Sequence, residues 1–112
     1  MEVRKTDVGD TRVVKVNDSR IDAAVAIQFK DAVRAVTADG PRRVVLDLSD
    51  VSFIDSSGLG AVVAVKKLLK DTHTLELVGL TPVVAKVFKL TRMDTIFTIH
   101  RDMAAAVPAL AS

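Results

Sequence analysis

The fold is decided by residues 43–69, RVVLDLSDVSFIDSSGLGAVVAVKKLL, in which a short apolar run leads through a polar turn into a longer apolar run. Residues 43–48 are rich in β-branched side chains and nearly continuous in apolar character, which is typical of a strand covered on both faces. From residue 59 to residue 69 the apolar residues recur at helical spacing, and we expect a helix over residues 56–70. A strand followed by a helix is the repeating unit of a parallel α/β sheet.

Two strands and a helix are predicted before this unit. Residues 11–16, TRVVKV, are bounded by polar turn residues and indicate a strand, with which residues 2–6 can pair as a short edge strand. Apolar residues every three or four positions then predict an amphipathic helix over residues 22–37. Asp22 is placed to cap the start of that helix, and the turn at residues 39–41 ends it.

The rest of the sequence continues the alternation of strand and helix. Residues 74–80, TLELVGL, predict a strand, and Thr81-Pro82 starts a helix because proline at the first helical position loses no hydrogen bond. Residues 96–100 are expected to form the last strand, and residues 103–110 a terminal helix. The buried side of the helix that starts at Pro82 is predicted to comprise Val83, Val84, Val87, Phe88 and Thr91.

The resulting order, β-β-α-β-α-β-α-β-α, predicts one α/β domain over residues 1–112. Alternating helices and strands favour a mixed, mostly parallel sheet of four to five strands, with about four helices packed on it. A chain of 112 residues is long enough to bury a core without a metal or cross-links. The predicted core includes four residues on three helices: Phe29, Leu59, Val63 and Phe88.

Composition excludes several classes of function. Sixteen Lys and Arg residues against 14 Asp and Glu give a formal net charge of +2, and there is no Trp or Tyr, so nucleic-acid binding is not expected. The absence of cysteine excludes disulfides, thiolate zinc sites and cysteine nucleophiles. The longest apolar run, residues 61–65, is far shorter than the roughly 20 residues that span a bilayer. The amino terminus has no signal-peptide pattern, and we expect a cytoplasmic protein without membrane contact.

The most unusual stretch is residues 55–60, DSSGLG, between the buried-looking strand and the apolar helix. Helix starts at the carboxyl ends of parallel strands are the usual ligand side of α/β sheets. Aspartate and serine are residue types that accept hydrogen bonds from the free amides of a first helical turn. Each of the two glycines lowers helix stability by roughly 1 kcal/mol relative to alanine. Close packing of the helix on the sheet and a functional need for bare backbone both explain them, and the sequence leaves both readings open.

Enzymatic patterns are absent from this stretch. Val63 occupies the place of the third glycine of a dinucleotide fingerprint, and Gly60 is followed by Ala61 rather than by the lysine of a P-loop. No G-x-S-x-G elbow surrounds either serine. His73 and His100 occur singly and are expected at the surface, and no residues have metal-ligand spacing. We therefore predict a protein that is not an enzyme and has no cofactor or metal; a small nucleotide-binding or hydrolytic protein is the alternative from another class.

The charged residues near the predicted helices are interpreted as ordinary surface. Six basic residues are assigned to solvated helix faces rather than to a binding patch: Lys66, Lys67, Lys70, Lys86, Lys89 and Arg92. The first three lie near the end of their helix, where positive charge suits the negative end of the helix dipole. Asp47 and Asp50, at the end of the third strand, are expected to cap turns.

Residues 55–60 resemble the motif of the bacterial anti-sigma factor antagonists, whose domain type is called STAS. Residues 44–54 resemble the strand and turn that precede the motif in this family, and residues 77–88 resemble its next strand and helix, including the proline start and the buried phenylalanine. The resemblance runs over nearly the whole chain, and the three blocks have the expected order and spacing. The family often has Gly-x-Leu-Asp before its first long helix; residues 19–22 read Ser-Arg-Ile-Asp, so the glycine is missing and Asp22 is kept.

The resemblance implies a partner-switching module. Such proteins bind a serine kinase that doubles as an anti-sigma factor, and so release the sigma factor it held; the kinase phosphorylates the antagonist, and a phosphatase reverses this. The resemblance makes Ser56 the modified residue, with Ser57 less favoured. It assigns partner contacts to Asp22, Asp55, Ser56, Ser57, Gly58, Leu59 and Gly60. The alternative is a STAS-domain subunit or scaffold of another signalling or transport complex, without a sigma-factor partner.

Physical chemistry is compatible with a phosphate on Ser56. It adds about −1.5 to −2 charges at neutral pH, and a helix N-terminus tolerates that charge because its free amides and dipole favour anions. The domain is therefore expected to stay folded, so that the switch acts at the surface of the partner. Gly58 and Gly60 would keep the serine accessible, and Leu59 would anchor the motif in the core.

Overall fold

The computed structural model describes residues 1–110. The strands in this range are β1 (Val3–Val8), β2 (Thr11–Val16), β3 (Arg20–Ile21), β4 (Arg43–Asp47), β5 (Phe53–Ile54), β6 (Thr74–Val78) and β7 (Thr98–His100). The helices are α1 (Ala26–Val36), α2 (Ser56–Leu69), α3 (Pro82–Leu90) and α4 (Met103–Ala106), with short 3₁₀ turns at Met93–Thr95 and Pro108–Leu110. None of the helices in the described range is long and apolar enough to cross a membrane.

The main sheet has five strands in the order β1-β2-β4-β6-β7. β1 is antiparallel to β2, and every other neighbouring pair is parallel. This confirms the mixed, mostly parallel sheet predicted from the sequence. β4 lies at the centre, with Val45 opposite Val13 of β2 on one side and Glu76 of β6 on the other. Its nearly continuous apolar character follows from this position, because both of its faces are covered.

The alternation of side chains along the strands gives the sheet two different faces. One face packs beneath α1, α2 and α3 and carries Val14, Val16, Val44, Leu46, Leu75 and Leu77. The opposite face carries Val13, Val45 and Val78, which pack against Ala106 of α4 and Val107. The larger core therefore lies between the sheet and the three longer helices.

Three of the four predicted core residues are buried. Phe29 and Phe88 are fully buried, and Leu59 is 9% exposed. Val63 was expected beside them, but it is half-buried at the margin of the core. The reason is the rotation of α2, which places Val62 rather than Val63 fully inside.

The buried side of α3 is narrower than predicted. Val84 and Phe88, one helical turn apart, are fully buried, and Val87 is partly buried. Val83 is 57% exposed and Thr91 is exposed, so the assignment of these two residues to the buried side is wrong. Only the stripe at positions i and i+4 of this short helix faces the core.

The first helix starts later than predicted. α1 begins at Ala26 with Val25 at its N-cap, and no side chain caps it. Asp22 does accept a hydrogen bond from the backbone N–H of Ala24 (3.1 Å), but that bond closes a turn before the helix. The N–H of Ala23 is directed instead to the Asp55 carboxylate, 3.4 Å away, so residues 22–25 bend toward α2 before α1 begins.

The opposite end of α1 is fixed by the buried Arg12 of β2. Arg12 Nη1 donates to the carbonyl oxygen of Val36 (2.9 Å) and to Asp39 Oδ1 (3.0 Å), while its Nε donates to Asp7 Oδ1 (2.7 Å). The hydrogen bonds from Arg12 lower the pKa of both carboxyl groups. α1 is therefore tied to the sheet at its carboxyl end and to Asp55 near its start.

The carboxyl-terminal elements are shorter than predicted. β7 begins at Thr98 rather than at residue 96, after a 3₁₀ turn that ends at Thr95. α4 ends at Ala106 instead of continuing to residue 110. Pro108 begins a separate 3₁₀ turn, because its ring nitrogen cannot donate the hydrogen bond that would extend the helix.

A polar cluster lies on the sheet face that carries Val45. Glu76 accepts two hydrogen bonds from Arg43, at 2.8 Å each, and its Oε1 lies 2.6 Å from His100 Nε2. Arg43 also donates to the carbonyl oxygen of Ala106 at 2.6 Å, which ties α4 to the sheet. His100 was expected at the surface, but its side chain is only 22% exposed and is held by Glu76. The hydrogen bonds from Arg43, supported by His100, lower the pKa of Glu76 to about 2.

Candidate functional site

A short second sheet connects the central strand to the stretch at residues 55–60. After β4 the chain turns, and Asp47 Oδ1 accepts a hydrogen bond from the backbone N–H of Ser49 (2.9 Å), which confirms its role in capping this turn. Asp50 was expected to do the same, but it lies 3.6 Å from Lys15 Nζ and makes an ion pair. β5 then pairs in parallel with β3, and α2 begins two residues after β5 ends.

Asp55 is the N-cap of α2 and links it to the chain before α1. Its backbone is extended, and its Oδ1 accepts the N–H of Gly58 at 2.8 Å. Its Oδ2 accepts the N–H of Ala23 at 3.4 Å. One carboxylate therefore fixes the start of α2 against residues 22–25, and its negative charge suits the positive end of the α2 dipole.

Ser56 and Ser57 are the first two residues of α2, and both are exposed. Neither hydroxyl hydrogen-bonds to another residue within the described range 1–110. Since Asp55 already caps the helix, the serines are not needed for that role. The first turn thus presents two unengaged hydroxyl groups beside backbone N–H groups that have no partner in the helix.

Packing requires a glycine at one of the two glycine positions of this turn and not at the other. A Cβ atom on Gly58 would overlap the carbonyl oxygen of Ile21 in β3 and would lie 3.0 Å from Cγ1 of Ile54. Close packing therefore explains Gly58. A Cβ on Gly60 would meet nothing within 4 Å, so packing does not explain the second glycine. Gly60 is exposed one turn after Ser56, on the same side of α2.

The remaining predicted contact residues lie around this turn at different depths. The Asp22 side chain is 19% exposed, and its Oδ2 accepts a hydrogen bond from Arg20 Nε at 3.1 Å. Asp55 is half-buried. Gly58 and Leu59 are buried and support the turn from beneath, as expected for Leu59. The structure thus brings all seven predicted positions to one edge of the domain, with Ser56, Ser57 and Gly60 outermost.

Two features of this edge were not predicted from the sequence. Arg20 lies over the ring of Phe53, with its guanidinium carbon 4.3 Å from the ring centre. The start of α3 is joined to the same edge, because the Thr81 hydroxyl donates to the carbonyl oxygen of Val51 at 2.8 Å. β3 and β5 have two residues each, too few for a periodic pattern to reveal the Arg20–Phe53 pair.

The other residues considered from the sequence lie elsewhere. His73 is half-buried after α2, with Nδ1 2.8 Å from the Thr72 hydroxyl. Five of the six basic residues are exposed as expected; Lys66 is half-buried, with Nζ 5.4 Å from the centre of the Phe97 ring. Within residues 1–110, no three side chains of the metal-ligating types form a group that could hold a metal ion.

The sequence profile of the STAS domain matches residues 2–106. The chain belongs to the STAS domain family. This STAS chain is 36% identical over 90 residues to BtrV of Bordetella bronchiseptica, which is named provisionally as an anti-sigma factor antagonist; the match covers 80% of this chain and 78% of BtrV. It is 25% identical over 88 residues to the anti-sigma-B factor antagonist of Staphylococcus aureus, covering 78% and 81% of the two chains.

A solved structure has the same fold. The crystal structure of an anti-sigma factor antagonist from Mycobacterium paratuberculosis is 29% identical in sequence and matches with a TM-score of 0.83. The match covers 99% of this STAS chain and 94% of the other protein. The family resemblance inferred from residues 44–60 and 77–88 is therefore confirmed.

Proposed function

We propose that the protein is a cytoplasmic anti-sigma factor antagonist. It binds a serine kinase that acts as an anti-sigma factor, and so frees the sigma factor which that kinase held. Phosphorylation of Ser56 switches the antagonist off, and a phosphatase restores it. The names of BtrV and of the Staphylococcus aureus relative support the sigma-factor part of this proposal. The protein itself acts by binding and catalyses no reaction.

The geometry of Ser56 is the observation that supports the proposed phosphorylation switch. Its hydroxyl is exposed and unengaged at the first position of α2, and the cap is supplied by Asp55. A kinase can therefore take up this hydroxyl without first breaking a bond that the fold needs. The kinase transfers the γ-phosphoryl group of ATP to Oγ, which loses its proton while ADP leaves.

The phosphorylated form is expected to remain folded. A phosphoserine at the start of α2 lies beside free backbone N–H groups and at the positive end of the helix dipole, both of which favour an anion. The carboxylate of the preceding residue, Asp55, is already engaged by two N–H groups. The charge therefore acts mainly on the partner, where juxtaposed like charges across an interface cost several kcal/mol.

The contact surface in this proposal consists of the outermost residues of the edge. Ser56, Ser57 and Gly60 meet the kinase directly, and Asp22 and Asp55 flank them. Gly58 and Leu59 act from beneath by holding the turn in place. Ser57 is exposed like Ser56, so the choice of Ser56 rests on the family motif, in which the modified serine directly follows the aspartate.

The test uses single variants and the kinase co-purified with this chain from its native cell. We expect Ser56→Ala to bind the kinase but to incorporate no phosphate, and Ser57→Ala to be phosphorylated like the wild type. Ser56→Asp should fold normally and bind at least about tenfold more weakly, which corresponds to about 1.4 kcal/mol. Phosphosite mapping by mass spectrometry and binding calorimetry are the measurements.

Two results would contradict the proposal in different ways. Phosphate incorporation that persists in Ser56→Ala and is lost in Ser57→Ala would move the switch to Ser57. If the chain binds no kinase and neither serine is phosphorylated, the sigma-factor function falls. The domain would then be a STAS scaffold of another complex.

A further inference from the structure

Arg20 is an exposed side chain held in one orientation beside the Ser56 edge. Its side chain is 56% exposed, yet its Nε donates to Asp22 Oδ2 at 3.1 Å and its guanidinium carbon lies 4.3 Å from the centre of the Phe53 ring. A free arginine side chain loses considerable rotamer entropy when it is immobilised. Here the contacts with Asp22 and Phe53 have already restricted it before any partner arrives.

The two terminal nitrogens of Arg20 are available to a ligand. Within residues 1–110, Nη1 and Nη2 make no hydrogen bond, since the hydrogen bond from Arg20 to Asp22 uses Nε. The N–H groups of Nη1 and Nη2 lie in the plane of the guanidinium, and one from each nitrogen can bind the two oxygens of a carboxylate at the same time. The contact with Phe53 is a cation–π contact, with the guanidinium carbon 4.3 Å from the ring centre, and it uses none of these N–H groups in a hydrogen bond to a polar atom.

The carboxylates around Arg20 accept hydrogen bonds from backbone N–H groups. Asp18 Oδ1 accepts the N–H of Arg20 at 3.3 Å, and Asp22 Oδ1 accepts the N–H of Ala24 at 3.1 Å. Asp55 accepts the N–H groups of Ala23 and Gly58 through its two oxygens. Each acid is thus oriented by backbone N–H groups, whereas Arg20 keeps unused donors in a region with several acidic side chains.

Arg20 and Ser56 belong to one continuous surface. Arg20 is paired with Phe53 in the β3–β5 sheet, and β5 runs directly into Asp55 and Ser56. On the other strand, Asp22 follows β3 and is adjacent to Ala23, whose N–H is bound by Asp55. A protein that covers Ser56 therefore reaches the Arg20–Phe53 pair at the rim of its contact area.

We propose that Arg20 binds an acidic side chain of the anti-sigma factor and so selects among kinases, an inference that rests on the proposed function. The exposed donors of Arg20 form a charge-assisted hydrogen-bonded pair with an Asp or Glu carboxylate of the partner. The 36%-exposed Phe53 ring beneath the guanidinium excludes water from one side of that pair. A kinase with a basic residue at the facing position is rejected by like-charge repulsion.

The experiment measures the affinity of the purified, unphosphorylated chain for the purified kinase identified with the Ser56 variants. Arg20→Glu is expected to weaken binding by at least about tenfold, and Arg20→Lys by less, because lysine keeps the charge without the fork. Arg42→Glu is the matched control. Arg42 is exposed and precedes β4, so it lies at the amino-terminal end of that strand, whereas Asp55 follows its carboxyl-terminal end. It makes the same charge change and should leave the affinity unchanged.

Two further measurements separate the proposed pair from nonspecific attraction. The wild-type affinity should fall with salt more steeply than that of Arg20→Glu between roughly 0.05 and 0.5 M NaCl. An Asp or Glu of the kinase, replaced by Arg, should restore the affinity for Arg20→Glu and weaken it for the wild type. Circular dichroism and thermal unfolding check that each variant is folded.

The outcomes distinguish this inference from the proposed function. If Arg20→Glu binds the kinase as tightly as the wild type while Ser56 is still phosphorylated, the inference is overturned and the proposed function stands. The same conclusion follows if Arg20→Glu changes the affinity for the kinase of the phosphorylated form alone, because Arg20 would then pair with the phosphate of its own chain. If wild type binds no kinase, the proposed function itself fails.

Discussion

Gly58 of α2 lies directly against the backbone of Ile21 in β3, so closely that a methyl group on Gly58 would overlap the Ile21 carbonyl oxygen. This contact and the Asp55 cap seat the first turn of α2 on the β3–β5 sheet from two sides. The inner side of the turn is thereby filled by main chain. The serine side chains have only the solvent side left to occupy.

Alanine substitutions at the two glycines should change stability in opposite directions. Gly58→Ala must push α2 away from β3, and we expect a loss of about 1–3 kcal/mol, the usual cost of overpacking. Gly60→Ala meets no neighbour and should gain up to about 1 kcal/mol from better helix propensity. Urea unfolding measures both, and equal effects of the two substitutions would contradict the structural assignment.

Gly60→Ala should also weaken binding to the kinase even though it stabilises the fold. The bare backbone at Gly60 lies one turn after Ser56 on the exposed side of α2, where an added methyl group would intrude on the proposed partner. We expect an affinity loss of about three- to tenfold, within the range of a small packing defect. Calorimetric titration of the wild type and of Gly60→Ala with the kinase measures this loss of affinity. An unchanged affinity would leave Gly60 without a role at the interface.

Alanine substitutions at Asp55 and Ser56 should differ in their effect on the stability of the fold. Asp55→Ala removes the cap of α2 and the bond to Ala23, and we expect a loss of about 1–2 kcal/mol. Ser56→Ala removes a hydroxyl that makes no bond in the fold, so its effect on stability should stay within about 0.5 kcal/mol. Chemical denaturation of the two variants compares them, and a large loss in Ser56→Ala would show that this hydroxyl has a structural role.

Glu76 should make the stability depend on acid pH. Its pKa, ordinarily 4.5, is lowered to about 2 in the folded chain, chiefly by the hydrogen bonds from Arg43. A lowered pKa means that the carboxylate stabilises the fold fully above its ordinary value, and that this contribution is lost as the pH falls from about 4.5 toward 2. Glu76→Gln should therefore be less stable than the wild type near neutral pH, with a difference that shrinks toward pH 2. Urea unfolding across this range measures it; a constant difference would contradict the assignment.

The packing of α3 is tested by one buried and one exposed residue. Phe88 is fully buried, with its ring edge-to-face against Phe97 at 5.8 Å between centres. Phe88→Ala should cost roughly 3–5 kcal/mol. Val83, at 57% exposure, is the control, and Val83→Ala should change stability by less than about 0.5 kcal/mol. A loss below 1 kcal/mol for Phe88→Ala would place that ring near the surface.

The sequence predicts the main elements because their patterns repeat over many residues. The apolar run of β4 and the helical spacing of α2 identify both elements, and the proline at residue 82 marks the start of α3. Long-range contacts are what such patterns miss. Residues 22–25 form a turn before α1 begins at Ala26, and in that turn the N–H of Ala23 is bound by Asp55, 32 residues farther along the chain.

Buried charged groups escape sequence reasoning for the same reason. Arg12 and His100 look like surface residues, yet Arg12 is buried and forms ion pairs with the exposed Asp7 and Asp39, and His100 is held by Glu76. Their partners come from other elements of the chain. At the candidate site the motif was found by local pattern, but the reason for Gly58 became visible only through its contact with β3.

The unengaged hydroxyl of Ser56 has an evolutionary consequence. Replacing Ser56 by alanine removes no hydrogen bond of the fold, so that under the proposed function natural selection acts on this hydroxyl through signalling alone. In a duplicated copy of the gene, alanine at this position would give an antagonist that always binds the kinase. Aspartate would give an antagonist that binds the kinase weakly without any phosphorylation. Lineages can thus lose or regain the proposed regulation through a single amino-acid substitution, whereas a substitution at Asp55 or Gly58 also destabilises the protein itself.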